Sequence, residues 1–209
     1  MSLLTRDPRF LLGAAALAGC PPDRGREVAV AGRSNVGKSS ALNALTGRRR
    51  LARVGGTPGR TREINFFALD EPGDRRLVDL PGYGYARVSR ALRERWDRLL
   101  EGYLRGRRSL VGLVLLVDAR HGLKDFDRQM LAWCAGAAMP VVVALTKADK
   151  LGRGQAARAR AAAAREAAGL CPGARVLLFS AARGEGVEAL RGQVEAWLAP
   201  GAGTKKAPD

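Results

Sequence analysis

Histidine, cysteine and aromatic residues are scarce in this sequence, and long apolar runs are missing. One histidine and three cysteines without metal-ligand spacing offer no zinc site, and the odd cysteine count argues against a disulfide framework. Cysteines without pairing motifs fit a reducing compartment, which predicts a cytoplasmic protein. No window of about 20 apolar residues is present, so we expect no membrane span.

Acidic residues are also few, with 20 aspartates and glutamates against 36 lysines and arginines and a formal net charge of +16. This excess predicts a polyanionic partner, which we expect to be RNA and not DNA. The alternative is that an arginine- and alanine-rich composition merely gives a solvated basic surface. Position favours RNA, because basic residues border the glycine- and proline-rich segment and the D-x-x-G element that are described below. They are Arg48, Arg49, Arg50, Arg87, Arg90, Arg93, Arg95, Arg98, Arg105, Arg107 and Arg108.

A phosphate-binding loop is the strongest motif that is present. The stretch Gly32–Ser39 fits G-x-x-x-x-G-K-[ST], between an apolar strand at Val28–Ala31 and a helical pattern at Ser40–Leu45. Its backbone N–H groups and the helix N-terminus favour an anion, Lys38 would reach the β- and γ-phosphates, and Ser39 would bind Mg²⁺. The predicted nucleotide contacts in this loop are Gly32, Arg33, Ser34, Asn35, Val36, Gly37, Lys38 and Ser39.

A second element, D-x-x-G, follows a predicted strand at Arg76–Asp79. Its carboxylate would hold a water on Mg²⁺, and its glycine N–H would contact the γ-phosphate. Alone, this tetrapeptide is an ordinary turn sequence. The predicted contacts are Asp79, Leu80, Pro81 and Gly82.

Two further strand ends carry a predicted base-binding site. The carboxylate of Asp149 can accept hydrogen bonds from guanine N1–H and the 2-amino group, whereas adenine lacks that donor pair. The usual pattern is N-K-x-D, and we expect the Thr146 hydroxyl to tie loops together in place of asparagine. A backbone N–H near Ser180 would meet guanine O6. The predicted contacts are Thr146, Lys147, Ala148, Asp149, Phe179, Ser180 and Ala181.

The glycine- and proline-rich segment between the first helix and the strand at Ile64–Leu69 is predicted to be a mobile switch. Thr57 and Thr61 are both candidates for a second hydroxyl on Mg²⁺. We favour Thr61, because it adjoins the strand that leads to Asp79.

The segments GRSNVGKSSALNAL, TPGRTREINFF, DLPGYGYA, TKADK and FSA resemble the EngB-type GTPases, over residues 22–198. The resemblance implies a Ras-like GTPase domain acting in large ribosomal subunit assembly and linked to septation and cell division. It supports Thr61 as a Mg²⁺ ligand. It also extends the nucleotide contacts to Gly59, Arg60, Thr61, Arg62 and Glu63. Related GTPases hold K⁺ with the residue at Asn35, so K⁺ is a second expected cofactor; a plain loop hydrogen bonder is the alternative.

Alternating strands and helices predict an α/β fold with three layers and a mostly parallel six-stranded sheet. We expect an N-terminal helix and linker at 1–22, the GTPase domain at 23–199 and a disordered tail at 200–209. An arginine-flanked apolar stretch before Cys20 is compatible with an export signal, but a GTPase has no GTP outside the cell. A monomer that binds GTP and GDP is expected.

Lys38, Thr61 and Gly82 are the predicted catalytic residues. Tyr83 occupies the position where many GTPases carry a water-positioning glutamine, so we expect weak intrinsic hydrolysis. His121 is expected to be structural or on the surface. The alternatives are a septation or signalling switch that binds a protein partner, and a P-loop kinase, which the guanine motif disfavours.

Overall fold

A seven-stranded sheet runs through the computed structural model, which describes residues 2–48, 51, 63–71, 73–84 and 90–201. The strand order is β1-β3-β4-β2-β5-β6-β7. Strands β4, β2, β5, β6 and β7 are parallel, whereas β1, β3 and β4 pair antiparallel. The strands are β1 (Arg9–Ala14), β2 (Arg26–Gly32), β3 (Ile64–Ala68), β4 (Arg75–Asp79), β5 (Leu110–Asp118), β6 (Val141–Thr146) and β7 (Arg175–Leu178).

Six α-helices of the described residues cover the two faces of the sheet. Helices α1, α2 and α6 pack together on one face, and α3, α4 and α5 pack in sequence on the other. The helices are α1 (Leu3–Arg6), α2 (Lys38–Thr46), α3 (Arg90–Gly106), α4 (Asp125–Gly136), α5 (Arg153–Leu170) and α6 (Val187–Leu198). Within these described ranges, no helix is both long and apolar enough to cross a membrane.

The central strands are buried on both faces, which is why their sequences are continuously apolar. In β2, Ala29 and Ala31 face the core under α3–α5, while Val28 and Val30 face the core under α2 and α6. Gly112 in β5 has a packing role, because a Cβ there would lie 2.4 Å from Trp197 Cε3 of α6. The predicted three-layer α/β architecture is confirmed.

The predicted strand count and the predicted N-terminal helix were wrong. Only Leu3–Arg6 is helical, and Arg9–Ala14 is an edge strand that pairs with β3, which makes seven strands. Pro8 disfavours helical backbone at the residue before it, and so separates the two elements.

A buried charge cluster fixes the C-terminal end of α3 to β2 and β4. The fully buried carboxylate of Glu27 accepts hydrogen bonds from Arg76 at 2.8 Å, Tyr103 at 2.7 Å and Arg107 at 2.7 and 2.9 Å. Burial, together with the neighbouring Glu27 charge, raises the pKa of Tyr103. The assignment of Arg107 to an RNA-binding face was therefore wrong, since its guanidinium neutralises Glu27 inside the protein.

Candidate nucleotide-binding site

All the motif loops that the structure describes leave the sheet at one edge. The phosphate loop follows β2, the D-x-x-G loop follows β4, and the two base loops follow β6 and β7. Because these four strands are parallel, their carboxyl ends lie on the same side, where open α/β sheets bind ligands. The fold therefore brings together residues that are far apart in sequence.

The phosphate loop is a tight backbone turn that ends at the N-terminus of α2. Gly37 caps that helix with φ of 100°, and Asn35 has φ of 63°. At Gly32 a Cβ would lie 2.7 Å from Val36 Cγ1 and 3.0 Å from the Leu116 carbonyl oxygen. Gly37 has the conformational freedom, and Gly32 the small size, that the turn requires. The N–H groups at the start of α2 are consequently available to an anion.

Lys38 and Asp79 form an ion pair within this site. Both side chains are largely buried, with 12% and 8% of their surface exposed. Burial raises the pKa of the Asp79 carboxyl, and the Lys38 charge opposes that rise. Lys38 is the predicted phosphate-binding cation, and Asp79 is the predicted metal-linked carboxylate. A phosphate that binds Lys38, or a metal ion that binds Asp79, must therefore compete with this ion pair.

The oxygen atoms of Ser39 and Asp79 are chemically suited to Mg²⁺. Among the described residues, no group of three or more histidine, cysteine, aspartate or glutamate side chains could hold a metal ion. Mg²⁺ in nucleotide sites uses one or two protein oxygens, water and phosphate oxygens, so this donor set fits it. Gly59, Arg60, Thr61 and Arg62 lie outside the described residues; Glu63 is exposed and lies beside Gly13.

Hydrogen bonds connect the first base loop to the phosphate loop. The Thr146 hydroxyl donates to the Val36 carbonyl oxygen at 2.7 Å, so it ties the two loops together as expected. Lys147, in left-handed backbone conformation, donates from Nζ to the Asn35 carbonyl oxygen at 2.6 Å. Its Nζ also lies 3.0 Å from Asp118 Oδ2.

Asp149 is held by the second base loop. The Ser180 hydroxyl donates to Asp149 Oδ1 at 2.6 Å, and the Ala148 N–H donates to the Phe179 carbonyl oxygen at 3.2 Å. The hydrogen bond from Ser180 lowers the pKa of Asp149, which keeps the carboxylate ionised. An ionised carboxylate only accepts hydrogen bonds, as recognition of guanine N1–H and the 2-amino group requires.

Tyr83 points into the core. Its ring is 5% exposed and packs at 4.5 Å from the Phe126 ring, and its hydroxyl donates to Asp127 Oδ1 at 2.5 Å. Its carbonyl oxygen accepts hydrogen bonds from the N–H and hydroxyl of Ser34 at 2.9 and 3.0 Å. Tyr83 therefore joins the D-x-x-G loop to the phosphate loop and to α4, and its hydroxyl is committed to Asp127.

A cavity of about 270 Å³ lies on the α4 side of the phosphate loop. The phosphate-loop residues 33–36 contribute to its lining, whereas Lys38, Ser39 and Asp79 do not. His121, which is exposed as expected, lies at its rim. Its polar lining comprises Arg33, Ser34, Asn35, Asp118, Arg120, His121, Lys124, Asp127 and Lys147.

Sequence reasoning missed Asp118 and Asp127 near this site. Hydrogen bonds from Arg120 and Lys147 lower the pKa of Asp118 although burial opposes it, so this carboxylate holds Lys147 beside the phosphate loop. The position of Asp118 at the end of β5 was an available signal. No comparable sequence pattern marks Asp127 as the partner of Tyr83.

A phosphate loop, a strand-end D-x-x-G element and two linked base loops on one edge of a mostly parallel sheet define a P-loop GTPase. Residues 27–147 match the family model described as 50S ribosome-binding GTPase. A Probable GTP-binding protein EngB from Nitrosococcus oceani is 51% identical over 201 residues, covering 96% of this chain and 100% of the relative. One from Azoarcus sp. is 49% identical over 206 residues, covering 98% of each. This chain belongs to the EngB family of GTP-binding proteins.

Solved structures show the same fold. The crystal structure of a probable GTP-binding protein engB gives a TM-score of 0.65 at 23% identity, covering 82% of this chain and 98% of that one. Era in complex with MgGDPNP and nucleotides 1506–1542 of 16S ribosomal RNA gives 0.62 at 22% identity, covering 88% and 62%. These neighbours agree with the mixed α/β sheet described above.

Proposed function

We propose that this GTPase uses Mg²⁺ and GTP as a switch in large ribosomal subunit assembly in the cytoplasm, as a monomer, with an associated requirement for normal septation and cell division. The Lys38–Asp79 ion pair is the observation that carries the proposed switch. It is the point at which a γ-phosphate and its metal would rearrange charges that the protein itself holds together. The family model's description and the net charge of +16 support a ribosomal partner.

Guanine recognition rests on Asp149, which accepts from N1–H and the 2-amino group. The hydrogen bond from Ser180 orients the carboxylate before the base arrives, which reduces the cost of binding. An adenine base in the same place would leave the carboxylate without its donor pair. The Lys147 stem, held by Asn35 and Asp118, would lie against the base plane.

Phosphate recognition rests on Lys38, Ser39 and the N–H groups at the start of α2. The Lys38 ammonium group would leave Asp79 and bind the β- and γ-phosphates. Asp79 and Ser39, with Thr61, would then hold the metal, and the Gly82 N–H would contact the γ-phosphate. Bound Mg²⁺ would neutralise charge that develops on the phosphate oxygens.

Slow intrinsic hydrolysis follows from the commitment of Tyr83 to Asp127. The side chain that follows D-x-x-G is buried, so it is not available to orient water. Asn35 is exposed at the phosphate loop and is the proposed K⁺-linked residue. Its left-handed backbone and its carbonyl contact with Lys147 place it at the junction of the base and phosphate halves.

The predicted arginine face near the switches is only partly available to RNA. Arg105 is paired with Glu101, Arg108 with Asp23 and Arg48 with Asp7, although all three are exposed. Arg95 and Arg98 are exposed on α3. Arg49, Arg50 and Arg87 lie outside the described residues, as do the side chains of Arg90 and Arg93.

Co-sedimentation of the purified protein with large ribosomal subunits tests the proposal. We expect more protein in the pellet with GMP-PNP than with GDP, and less in both cases as salt rises. Lys38→Ala is the control, because it should lose the difference between the two nucleotides. Equal pelleting of the unchanged protein with both nucleotides would contradict the proposal and would favour a switch that binds a protein partner.

A further inference from the structure

Helix α5 presents arginines over an otherwise small and uncharged surface. Ala156, Ala163 and Ala167 are its buried residues, and most of the remaining positions are exposed alanine, glycine or arginine. Its exposed arginines are Arg153, Arg158, Arg160 and Arg165. Because alanine and glycine project little, these guanidinium groups are the most prominent features of the helix surface.

Helical spacing arranges the four arginines in two stripes. Arg153 and Arg160 are seven residues apart, as are Arg158 and Arg165, and seven residues are two helical turns. Each pair is therefore separated by about 10 Å along the axis. The two stripes present four positive charges along about 18 Å of one helix.

In the part of the chain that the structure describes, these arginines have no acidic partners. Glu166 is the acidic residue of α5, and its carboxylate accepts a hydrogen bond from Arg128 of α4 at 2.6 Å. Among the described residues, none of the four forms an ion pair. By contrast, Arg105, Arg107 and Arg108 near the C-terminal end of α3 all have carboxylate partners. Within the described ranges, Arg95 and Arg98 on α3 are likewise exposed without an ion pair, but α5 carries four such arginines on one helix, where the sequence analysis did not place them.

We propose that the exposed arginines of α5 bind the phosphate backbone of RNA. Guanidinium groups bind phosphate oxygens through two parallel hydrogen bonds. Because the four arginines have no carboxylate partner in the described structure, a polyanion complements their charge. Contacts of this kind to the phosphate backbone contribute affinity and not sequence specificity. This inference rests on the proposed ribosomal partner and gives it a contact surface.

The position of α5 makes this contact independent of the γ-phosphate. The helix begins at Arg153, three residues after Lys150 in the base loop, and packs against α4 and β7. The Lys38–Asp79 pair lies on α2 and β4, across the sheet order from β7. The surface of α5 therefore acts as a constant electrostatic anchor, and the switch loops supply the nucleotide-dependent part of binding.

The test compares two double variants of the full-length protein with equal loss of charge. Arg158→Gln/Arg165→Gln removes one of the two stripes and keeps helix propensity. Arg9→Gln/Arg24→Gln removes two exposed arginines that have carboxylate partners, Glu71 and Asp74. Binding to large ribosomal subunits and to a short RNA duplex is measured across a salt series, with GDP and with GMP-PNP, alongside GTP turnover and thermal melting.

We expect the α5 variant to bind both RNAs about tenfold more weakly, with a log–log salt slope lower by about two, equally with either nucleotide. GTP turnover and melting should not change, and the control variant should bind like the unchanged protein. An unchanged slope and affinity in the α5 variant would overturn this inference and leave the proposed function intact. A loss confined to GMP-PNP would overturn the nucleotide independence.

Failure of the proposed function has a different signature. In that case the unchanged protein would not distinguish GMP-PNP from GDP on subunits, whatever the α5 variant does on the duplex. Absence of binding to both RNAs by the unchanged protein would overturn both proposals.

Discussion

The base end and the phosphate end of the candidate site are held in different ways. At the base end, Thr146 and Lys147 donate to carbonyl oxygens of the phosphate loop, and Ser180 fixes Asp149. At the phosphate end, Lys38 and Asp79 are bound to each other. Hydrogen bonds between neighbouring loops therefore hold the base end, whereas an ion pair between two predicted functional residues holds the phosphate end.

This difference matches what changes between GTP and GDP. The guanine base is common to both nucleotides, so a braced base end can remain constant. The γ-phosphate is the variable part, and it meets the pair of charges that must separate. GTP must separate Lys38 from Asp79 to reach both groups, whereas the bonds from Thr146 and Lys147 to the phosphate loop can persist with either nucleotide.

Breaking the phosphate end should have the largest effect. Lys38→Met keeps most of the side-chain stem but removes the cation, so we expect GTP turnover to fall by about 10²–10³-fold. It also leaves the buried Asp79 without its partner, which should lower the free energy of unfolding by about 3 kcal/mol at neutral pH. Single-turnover hydrolysis and urea unfolding measure these effects. If turnover stayed within twofold of that of the unchanged protein, Lys38 would have no role in the reaction.

Altering the base end should change selectivity rather than stability. In Asp149→Asn, the amide N–H₂ faces donors of guanine, so GTP affinity should fall by about 10²-fold or more. Xanthosine triphosphate, which has a carbonyl in place of the 2-amino group, should bind better than to the unchanged protein. Competition titrations with GTP, ATP and xanthosine triphosphate measure this. Asp125→Asn, a fully exposed acid on α4, is the matched control and should have no effect.

Loosening the brace between the two ends should have a smaller effect. Thr146→Val removes the hydroxyl that donates to Val36, leaving a buried carbonyl oxygen without that hydrogen bond, and should cost about 1–2 kcal/mol of stability. GTP and GDP affinity should weaken together, because the brace is common to both. Thr146→Ser keeps the hydroxyl and should restore both properties. A change limited to GTP would show that the base end also senses the γ-phosphate.

Potassium should give the smallest change. If the Asn35 side chain helps hold K⁺ beside the phosphates, turnover in KCl should exceed turnover in NaCl by a few-fold. Asn35→Ala should abolish that difference while leaving the rate in NaCl unaltered. Equal turnover rates of the unchanged protein in the two salts would contradict a role of Asn35 in binding K⁺.

Local motifs and alternating elements predicted most of the architecture. The strand and the helix predicted on either side of the phosphate loop, at Val28–Ala31 and Ser40–Leu45, lie within β2 (Arg26–Gly32) and α2 (Lys38–Thr46). The edge strand Arg9–Ala14 was missed, because its leucines and alanine favour a helix locally and its pairing with β3 is long-range. Arg107 was misplaced for a similar reason, since Glu27 lies 80 residues away in sequence.

Within the site, the motifs lie at the carboxyl ends of parallel strands, but they did not predict the hydrogen-bond partners of the side chains. The Thr146 hydroxyl was expected to tie loops, and the structure shows that it reaches Val36. The contact between Tyr83 and Asp127 depends on how α4 packs, which no motif encodes. Thr57 and Thr61 lie outside the described residues, so the choice between them stays a prediction.

Hydrogen–deuterium exchange of the full-length protein with Mg²⁺·GDP and Mg²⁺·GMP-PNP tests the central claim most directly. The account predicts that residues 145–150 and 179–181 are equally protected with both nucleotides. Residues 79–84 should gain protection with GMP-PNP alone. A γ-phosphate-dependent change at 145–150, or unchanged exchange at 79–84, would contradict the division into a constant base end and a switching phosphate end.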